Sequence, residues 1–162
     1  MPSNVGLNVI ARLVVRFDSL QTPIGNVFVA SSSQGICDVS FDEPDEKDYR
    51  SRLASQAEKV GRDGDALQRV RVELEAYFQG QLTQFTVPID LRSVPDFTRR
   101  VLLATRSIPF GQLRTYGDIA SVIRSPLAGR AVGGALGRNP IPIIVPCHRV
   151  IAHSGRLGGF TG

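Results

Sequence analysis

The chain has 162 residues, of which 42% are hydrophobic and 21% are charged, values that are typical of a globular protein of one or two domains. No stretch reaches the roughly 18 apolar residues of a membrane span, and the start, MPSNVGLNVI, lacks the features of a signal peptide. We therefore expect a cytoplasmic protein in which Cys37 and Cys147 are reduced. The spacing of the two cysteines and two histidines does not fit a metal site.

Positive charge is concentrated in the second part of the chain. The net charge is +4, but the residues from Phe97 onward contain nine arginines and one acidic residue, so that part carries +8 and the first 96 residues carry −4. Arginines are well suited to contacts with phosphates, so this part could bind a polyanion. A basic face that is only solvated is equally compatible with the charge. The change of sign predicts two domains, 1–92 and 93–162.

The first domain contains three short segments that are rich in β-branched and aromatic residues. The segments LVVRF, GNVFVA and GICDVSF predict a meander or hairpin of strands. A helix is predicted after Asp65 as its N-cap, with an apolar face that includes Leu67, Val70 and Leu74, and Gly80 ends it. The segment FTVPIDL is an edge-strand candidate, because proline is unsuited to a central strand.

Short helices are predicted for the second domain, which makes the fold class α+β. Ser93 or Asp96 could cap a helix over FTRRVLLATRS, and Thr115 and Asp118 have capping-box spacing before YGDIASVI. Ser125-Pro126 predicts the start of a further helix, PLAGRAVGGALGR. The last two helices form a helix-turn-helix candidate. The glycines of the second favour either close approach of a partner backbone around Arg130 or tight internal packing.

The stretch IIVPCHRV places a cysteine beside a histidine and an arginine. The apolar run before Pro146 predicts a buried strand or extended segment that carries Cys147 to the edge of a core. A buried cysteine is often inert, but the neighbouring His148 and Arg149 favour a reactive thiolate. Since side chains alternate in an extended chain, a direct pair of Cys147 and His148 requires a turn, and otherwise a bridging water would connect them.

The motifs NPIPIIVPCHRVI, SGRLGGFTG, IPFGQLRTYGDIA and RAVGGALGRNP together resemble the O6-alkylguanine-DNA alkyltransferase family, and TPIGNVFVA with GICDVSF resembles its N-terminal domain. The resemblance covers nearly the whole chain. It implies a small N-terminal α/β domain of the ribonuclease H type and a C-terminal domain with a helix-turn-helix. The implied function is direct DNA repair: an alkyl group passes irreversibly from O6 of guanine to a cysteine sulfur, without a cofactor. O4-alkylthymine is a further candidate substrate.

The resemblance also implies roles for individual residues. Cys147 would accept the alkyl group, with His148 as the water-linked base, and Tyr116 would help to protonate the leaving guanine. Arg130 would replace the flipped base from the minor groove of alkylated double-stranded DNA. Asn139 would brace the helix-turn-helix against the cysteine segment. The other implied DNA-binding residues are Tyr116, Ala131, Gly133 and Arg138, and those of the substrate pocket are Asn139, Pro142, Val150 and Thr161.

The resemblance further implies a monomer that associates with the nucleoid. Each molecule would act once, as a stoichiometric reagent, and its binding to DNA could be cooperative. The sequence departs from the family at Gly162, where it stops before the glutamate that orients the histidine in other members. Two other functions remain open at this point. One is a non-reacting sensor of alkylated DNA, against which Cys147 argues, and the other is a Cys-His hydrolase, which leaves the arginines unexplained.

Overall fold

A computed structural model of the chain describes residues 13–155. The chain forms two compact units, of which the first extends to Ser93 and the second begins at Val94. The sheets and helices below confirm the predicted α+β class. Within the described range, no helix has both the length and the apolar character that crossing a membrane requires.

The first unit is built on a four-stranded sheet. Its strands are β1 (Val14–Thr22), β2 (Gly25–Ser32), β3 (Gly35–Ser40) and β4 (Lys59–Arg62), in the order β3-β2-β1-β4. The first three strands pair antiparallel and confirm the predicted meander, whereas β4 pairs parallel with β1. The sequence did not indicate β4, since a four-residue strand has little periodicity of its own.

Two helices accompany this sheet, α1 (Glu46–Ala54) and α2 (Gln68–Phe78). Tyr49 and Leu53, one turn apart on α1, belong to the buried cluster that also contains Phe28 of β2. The rings of Tyr49 and Phe28 stack with their centroids 4.7 Å apart. This burial fixes α1, although its sequence is mostly polar, because tertiary packing contributes more to helix stability than propensity does.

Two local predictions for the first unit are wrong. Asp65 does not cap α2, since Leu67 occupies the N-cap position without a side-chain bond, and it is Asp63 that accepts the N–H of Ala66. The segment FTVPIDL does not form a strand. It contributes a single bridge between Ile36 and Ile89, because Pro88 lacks the N–H that a continuous ladder would use.

A buried carboxylate, Asp90, links the end of this unit to strand β2. Asp90 accepts hydrogen bonds from Ser32 at 2.5 Å and from the Arg92 guanidinium at 2.7 and 2.9 Å. Burial alone would raise the pKa of Asp90, but the bonds from Arg92 and Ser32 outweigh it and lower the pKa to about 2. The ionised form of Asp90 therefore stabilises the folded state.

We expect acid to remove this stabilisation. Because the folded-state pKa is depressed, the contribution of Asp90 is complete at neutral pH and is lost as the pH falls from about 4 to about 2. Asp90→Asn should lower the free energy of unfolding near neutral pH by up to about 2 kcal/mol, since Arg92 is half exposed. Urea unfolding over this pH range, with the exposed Asp65→Asn as control, measures the effect. A difference from wild type that does not shrink in acid would contradict it.

The second unit is mainly helical. Its helices are α3 (Asp96–Arg106), α4 (Tyr116–Val122) and α5 (Gly129–Leu136), and α3 packs against both of the others. Two short parallel strands, β5 (Arg114–Thr115) and β6 (Val150–Ile151), pair with each other. Val101 and Leu102 of α3, both fully buried, lie in the core of this unit.

The ends of these helices confirm one predicted cap and correct two. The Thr115–Asp118 capping box is present, with both reciprocal hydrogen bonds formed at 2.7 and 3.1 Å. Neither Ser93 nor Asp96 caps α3, because Pro95 holds the N-cap position. The helix predicted to start at Ser125-Pro126 begins only at Gly129, since residues 125–128 form a turn closed by the bond from Ala128 N–H to the Ser125 carbonyl.

Candidate active site and nucleic-acid interface

The segment before Cys147 forms a tight turn, and the predicted strand or extended segment is wrong. The N–H of Val145 donates to the carbonyl of Ile141 at 2.9 Å, and Pro142 and Val145 form an isolated bridge. Ile143, within the turn, has a φ of 74°. A β-branched residue rarely adopts this left-handed conformation, so surrounding interactions must hold the turn.

Asn139 supplies those interactions. Its Nδ2 donates to the carbonyl of Val145 at 3.0 Å, and its Oδ1 accepts from the N–H of Ile141 at 3.0 Å. The amide of Asn139 therefore spans the base of the turn. The carbonyl of Val145 also accepts the N–H of Cys147 at 2.8 Å, so one oxygen connects the asparagine to the cysteine.

Removal of this amide should impair the position of the cysteine. Asn139→Ala leaves the N–H of Ile141 without its partner and removes one of the two donors to the Val145 carbonyl, which costs about 1–3 kcal/mol of stability. We expect the rate of any reaction at Cys147 to fall by roughly 10- to 100-fold, because small displacements of a reacting group have effects of that size. Single-turnover rates and thermal unfolding measure the two effects. Asn26→Ala, on the exposed β1–β2 hairpin, is the control, and an unchanged rate for Asn139→Ala would contradict the expectation.

Cys147 begins a short 3₁₀ turn, Cys147–Arg149, directly after the buried Pro146. The N–H of Arg149 donates to the Pro146 carbonyl, and the N–H of Val150 donates to the Cys147 carbonyl. The turn leads into β6, which pairs with β5. The thiol of Cys147 is therefore half-buried at a fixed point of the backbone. The turn that a direct pair with His148 would require is present, but no hydrogen bond joins the thiol to the imidazole within residues 13–155.

Arg149 attaches this turn to the loop after α3. Its Nη1 donates to the carbonyl of Ile108 at 2.8 Å, and its guanidinium lies 5.5 Å from the centroid of the Phe110 ring. Phe110 is itself largely exposed. The sequence analysis did not predict this role, and no local signal could have revealed it, because the two partners lie about 40 residues away along the chain.

His148 stands between Cys147 and Arg149. Partial burial of the ring is the larger cause that lowers the pKa of His148, and the positive charge of Arg149 adds to it. A lowered pKa favours the neutral form of the imidazole, which is the form able to accept a proton. It has no hydrogen-bond partner among residues 13–155, so a group that orients it is not found in this part of the chain.

Tyr116 is the first residue of α4, immediately after the capping residue Thr115. Its ring lies against α5, because a Cβ at Gly133 would be 3.7 Å from the Tyr116 Cε1. Gly133 therefore serves the packing between α4 and α5. For Gly133, the structure therefore supports the prediction that the glycines of this helix serve internal packing. At Gly129, in contrast, a Cβ would meet open space, so packing does not require a glycine there.

The outer face of α5 has small side chains and a positive charge. Its inner residues Val132, Ala135 and Leu136 are buried, whereas Arg130 and Ala131 are exposed. Arg138, also exposed, follows the helix, and its guanidinium lies about 3.6 Å from the position of a Cβ at Gly134. The guanidinium groups of Arg130 and Arg138 make no hydrogen bond or ion pair with the described residues. They are available for an anionic partner.

The predicted pocket residues lie around the same turn. Pro142 is partly buried beside Val145, and Val150 is fully buried, so only the backbone of Val150 could face a ligand. Thr161 lies outside the described residues. The structure thus assembles Asn139, Pro142, Cys147 and Val150 in one segment, and it assembles Tyr116 and Gly133 where α4 meets α5.

Comparison with known proteins gives the family of both units. Residues 15–91 match a model described as the ribonuclease-like domain of 6-O-methylguanine DNA methyltransferase, and residues 96–162 match the DNA-binding domain of the same family. A methylated-DNA–protein-cysteine methyltransferase of Mycobacterium tuberculosis is 40% identical over 149 residues, which cover 92% of this chain and 86% of that protein. The constitutive enzyme of that name from Bacillus subtilis is 34% identical, with coverage of 90% and 86%.

Solved structures agree with these matches. The O6-methylguanine methyltransferase of Mycobacterium tuberculosis superimposes with a TM-score of 0.78 at 40% identity, over 92% of this chain and 86% of that one. A structure of the Mycobacterium tuberculosis protein OGT in complex with DNA gives a TM-score of 0.76 at 40% identity, over 90% and 83%. On the strength of these identities over nearly its whole length, the chain belongs to the 6-O-methylguanine DNA methyltransferase family.

Proposed function

We propose that this chain repairs DNA directly, by taking the alkyl group of O6-alkylguanine onto the sulfur of Cys147. Relatives named methylated-DNA–protein-cysteine methyltransferase support alkyl transfer to a cysteine as the activity. The observation that carries the choice of residue is the half-buried Cys147 thiol at the start of a braced turn, next to the imidazole of His148. Cys37, the other cysteine, lies in β3 of the first unit.

The reaction is a displacement at the saturated carbon of the alkyl group. The sulfur of Cys147 forms the new S–C bond while the O6–C bond breaks, and the electron pair of that bond leaves with the guanine. The proton lost by the thiol is balanced by the proton that the guanine gains. Neither a cofactor nor a second substrate is needed. Because the thioether is stable, each protein molecule reacts once.

In this proposal His148 accepts the thiol proton through a water molecule, for which the lowered pKa of its ring is suited. Tyr116 donates toward the guanine as it leaves. Asn139 and the backbone of Val150 shape the pocket on one side, Pro142 lies at its alkyl side, and Thr161 completes it. These assignments extend the observed bracing of the turn to a bound substrate.

The DNA partner is proposed to be alkylated double-stranded DNA, bound by α4, the turn and α5 as a helix-turn-helix. Arg130 enters the minor groove and takes the place of the flipped base. Ala131, Gly133 and Arg138 line the same surface. Residues 93–162 then form the DNA-binding and acceptor domain and residues 1–92 the ribonuclease H-like domain. We expect a monomer that works in the cytoplasm at the nucleoid.

Intact-mass spectrometry after incubation with a duplex that contains one O6-methylguanine tests the proposal. We expect a stoichiometric increase by one methyl group, located on the peptide that contains Cys147, and no increase with unmodified DNA. Binding without an adduct would instead indicate a non-reacting sensor. An absence of both binding and adduct would remove DNA repair as the function.

A further inference from the structure

The turn between α4 and α5 carries an arginine that the roles above leave unused. Arg124 lies two residues beyond the end of α4, is exposed, and has a φ of 59°. We propose that Arg124 is a phosphate-binding residue of the DNA interface, presented by a rigid turn at one end of α5. This inference depends on the proposed function, because it assumes that α5 faces DNA.

The backbone at Arg124 has the geometry of a helix C-terminus that usually carries glycine. The N–H of Arg124 donates to the carbonyl of Ser121 at 3.0 Å, and the N–H of Ser125 donates to the carbonyl of Ala120 at 2.8 Å. This pair of bonds defines a Schellman motif, with Arg124 at the left-handed position. Glycine has no Cβ to strain that conformation, whereas arginine does. A strained residue of this kind suggests a function for its side chain.

The turn is also held from α3. The guanidinium of Arg100 donates to the carbonyl of Ile123, the residue immediately before Arg124. The position of the Arg124 backbone is therefore fixed on both sides, by the Schellman bonds and by α3. A rigid backbone lowers the entropy that is lost when the side chain binds a phosphate.

The guanidinium of Arg124 is unengaged, unlike those of several neighbouring arginines. Arg99, Arg100, Arg114 and Arg149 all bond to other groups of the second unit. Arg124 makes no side-chain hydrogen bond or ion pair within residues 13–155. The acids described from Val94 onward are Asp96, which pairs with Arg99, and Asp118, which caps α4. The charge of Arg124 is thus left uncompensated.

The position of Arg124 relative to α5 fits contact with a DNA backbone. The chain passes from Arg124 through the turn, where Leu127 is fully exposed, and enters α5 just before Arg130. Arg138 follows the other end of the helix. A helix of eight residues is about 12 Å long, and the minor groove is about 6 Å wide. Arg124 and Arg138 therefore flank the two ends of α5, where each would meet the DNA backbone if α5 faces DNA.

Substitution at Arg124 separates charge from strain. Arg124→Gln removes the charge, and Arg124→Gly removes both the charge and the strained Cβ. We expect both variants to bind duplex DNA roughly three- to tenfold more weakly at moderate salt, with the slope of log affinity against log salt reduced by about 1. Arg124→Gly should unfold at an equal or higher temperature than wild type, because the turn is relaxed.

Three measurements make the test decisive. Arg50→Gln, which removes an exposed arginine of α1 that has no ion pair within residues 13–155, should keep the wild-type slope. The rate of reaction with free O6-benzylguanine should be unchanged in every variant, since no duplex is involved. If wild type shows no salt-dependent DNA binding, the proposed function itself fails. If wild type binds and the Arg124 variants keep its slope, only the assignment of Arg124 is overturned.

Discussion

The variant Cys147→Ser is expected to form no alkyl adduct while it still binds DNA. A hydroxyl is a far weaker nucleophile than a thiol at neutral pH, because almost none of it is ionised. The serine is close in size to the cysteine and leaves the bonds of Asn139 and the exposed face of α5 in place. Intact-mass spectrometry and a DNA-binding assay on the same sample measure the two properties.

The second cysteine of the chain provides a matched control. Burial raises the pKa of the Cys37 thiol to about 12, and the nearby carboxylates of Asp38 and Asp90 add to the shift. Almost no thiolate exists at Cys37 near neutral pH, so Cys37→Ser should still acquire one alkyl group per molecule. An adduct on Cys147→Ser, or the loss of the adduct in Cys37→Ser alone, would show that Cys147 is not the acceptor.

Local signals in the sequence were sufficient for much of the fold. The alternating strands of the meander, the capping box at Thr115 and the glycine after α2 all follow from the chemistry of neighbouring residues, and all are present. The helix α1 could not be predicted in the same way. Only Tyr49 and Leu53 mark its buried face, and the helix depends on the sheet that these residues pack against.

The candidate site shows the same division. The cysteine motif and the family resemblance pointed to Cys147, but the shape of its segment did not follow from an apolar run between two prolines. The turn at Ile143 is braced by the side chain of Asn139, and a bond from Arg100 supports the residue before Arg124. Nor could the sequence distinguish arginines that bond within the protein from those that remain available to DNA, because their partners are distant along the chain.

The second large effect is expected at Arg130. Arg130→Ala removes the long side chain that is proposed to fill the space of the flipped base, and α5 offers only small residues around it. Extrusion of a base costs a few kcal/mol, which the protein must recover through contacts. We expect single-turnover repair of O6-methylguanine in a duplex to slow by roughly 10- to 100-fold, since each 1.4 kcal/mol lost corresponds to about a factor of ten.

Reaction with free O6-benzylguanine separates this role from a structural one. The free base needs no extrusion, so its rate with Arg130→Ala should stay within about twofold of wild type. Arg50→Ala, at an exposed position of α1, should leave both rates unchanged and controls for the loss of one positive charge. Because Arg130 is exposed and its guanidinium makes no hydrogen bond or ion pair within residues 13–155, its removal should not disturb the turn at Cys147. Equal losses on the duplex and on the free base would therefore place the effect of Arg130 in the acceptor chemistry and contradict its assignment to base extrusion.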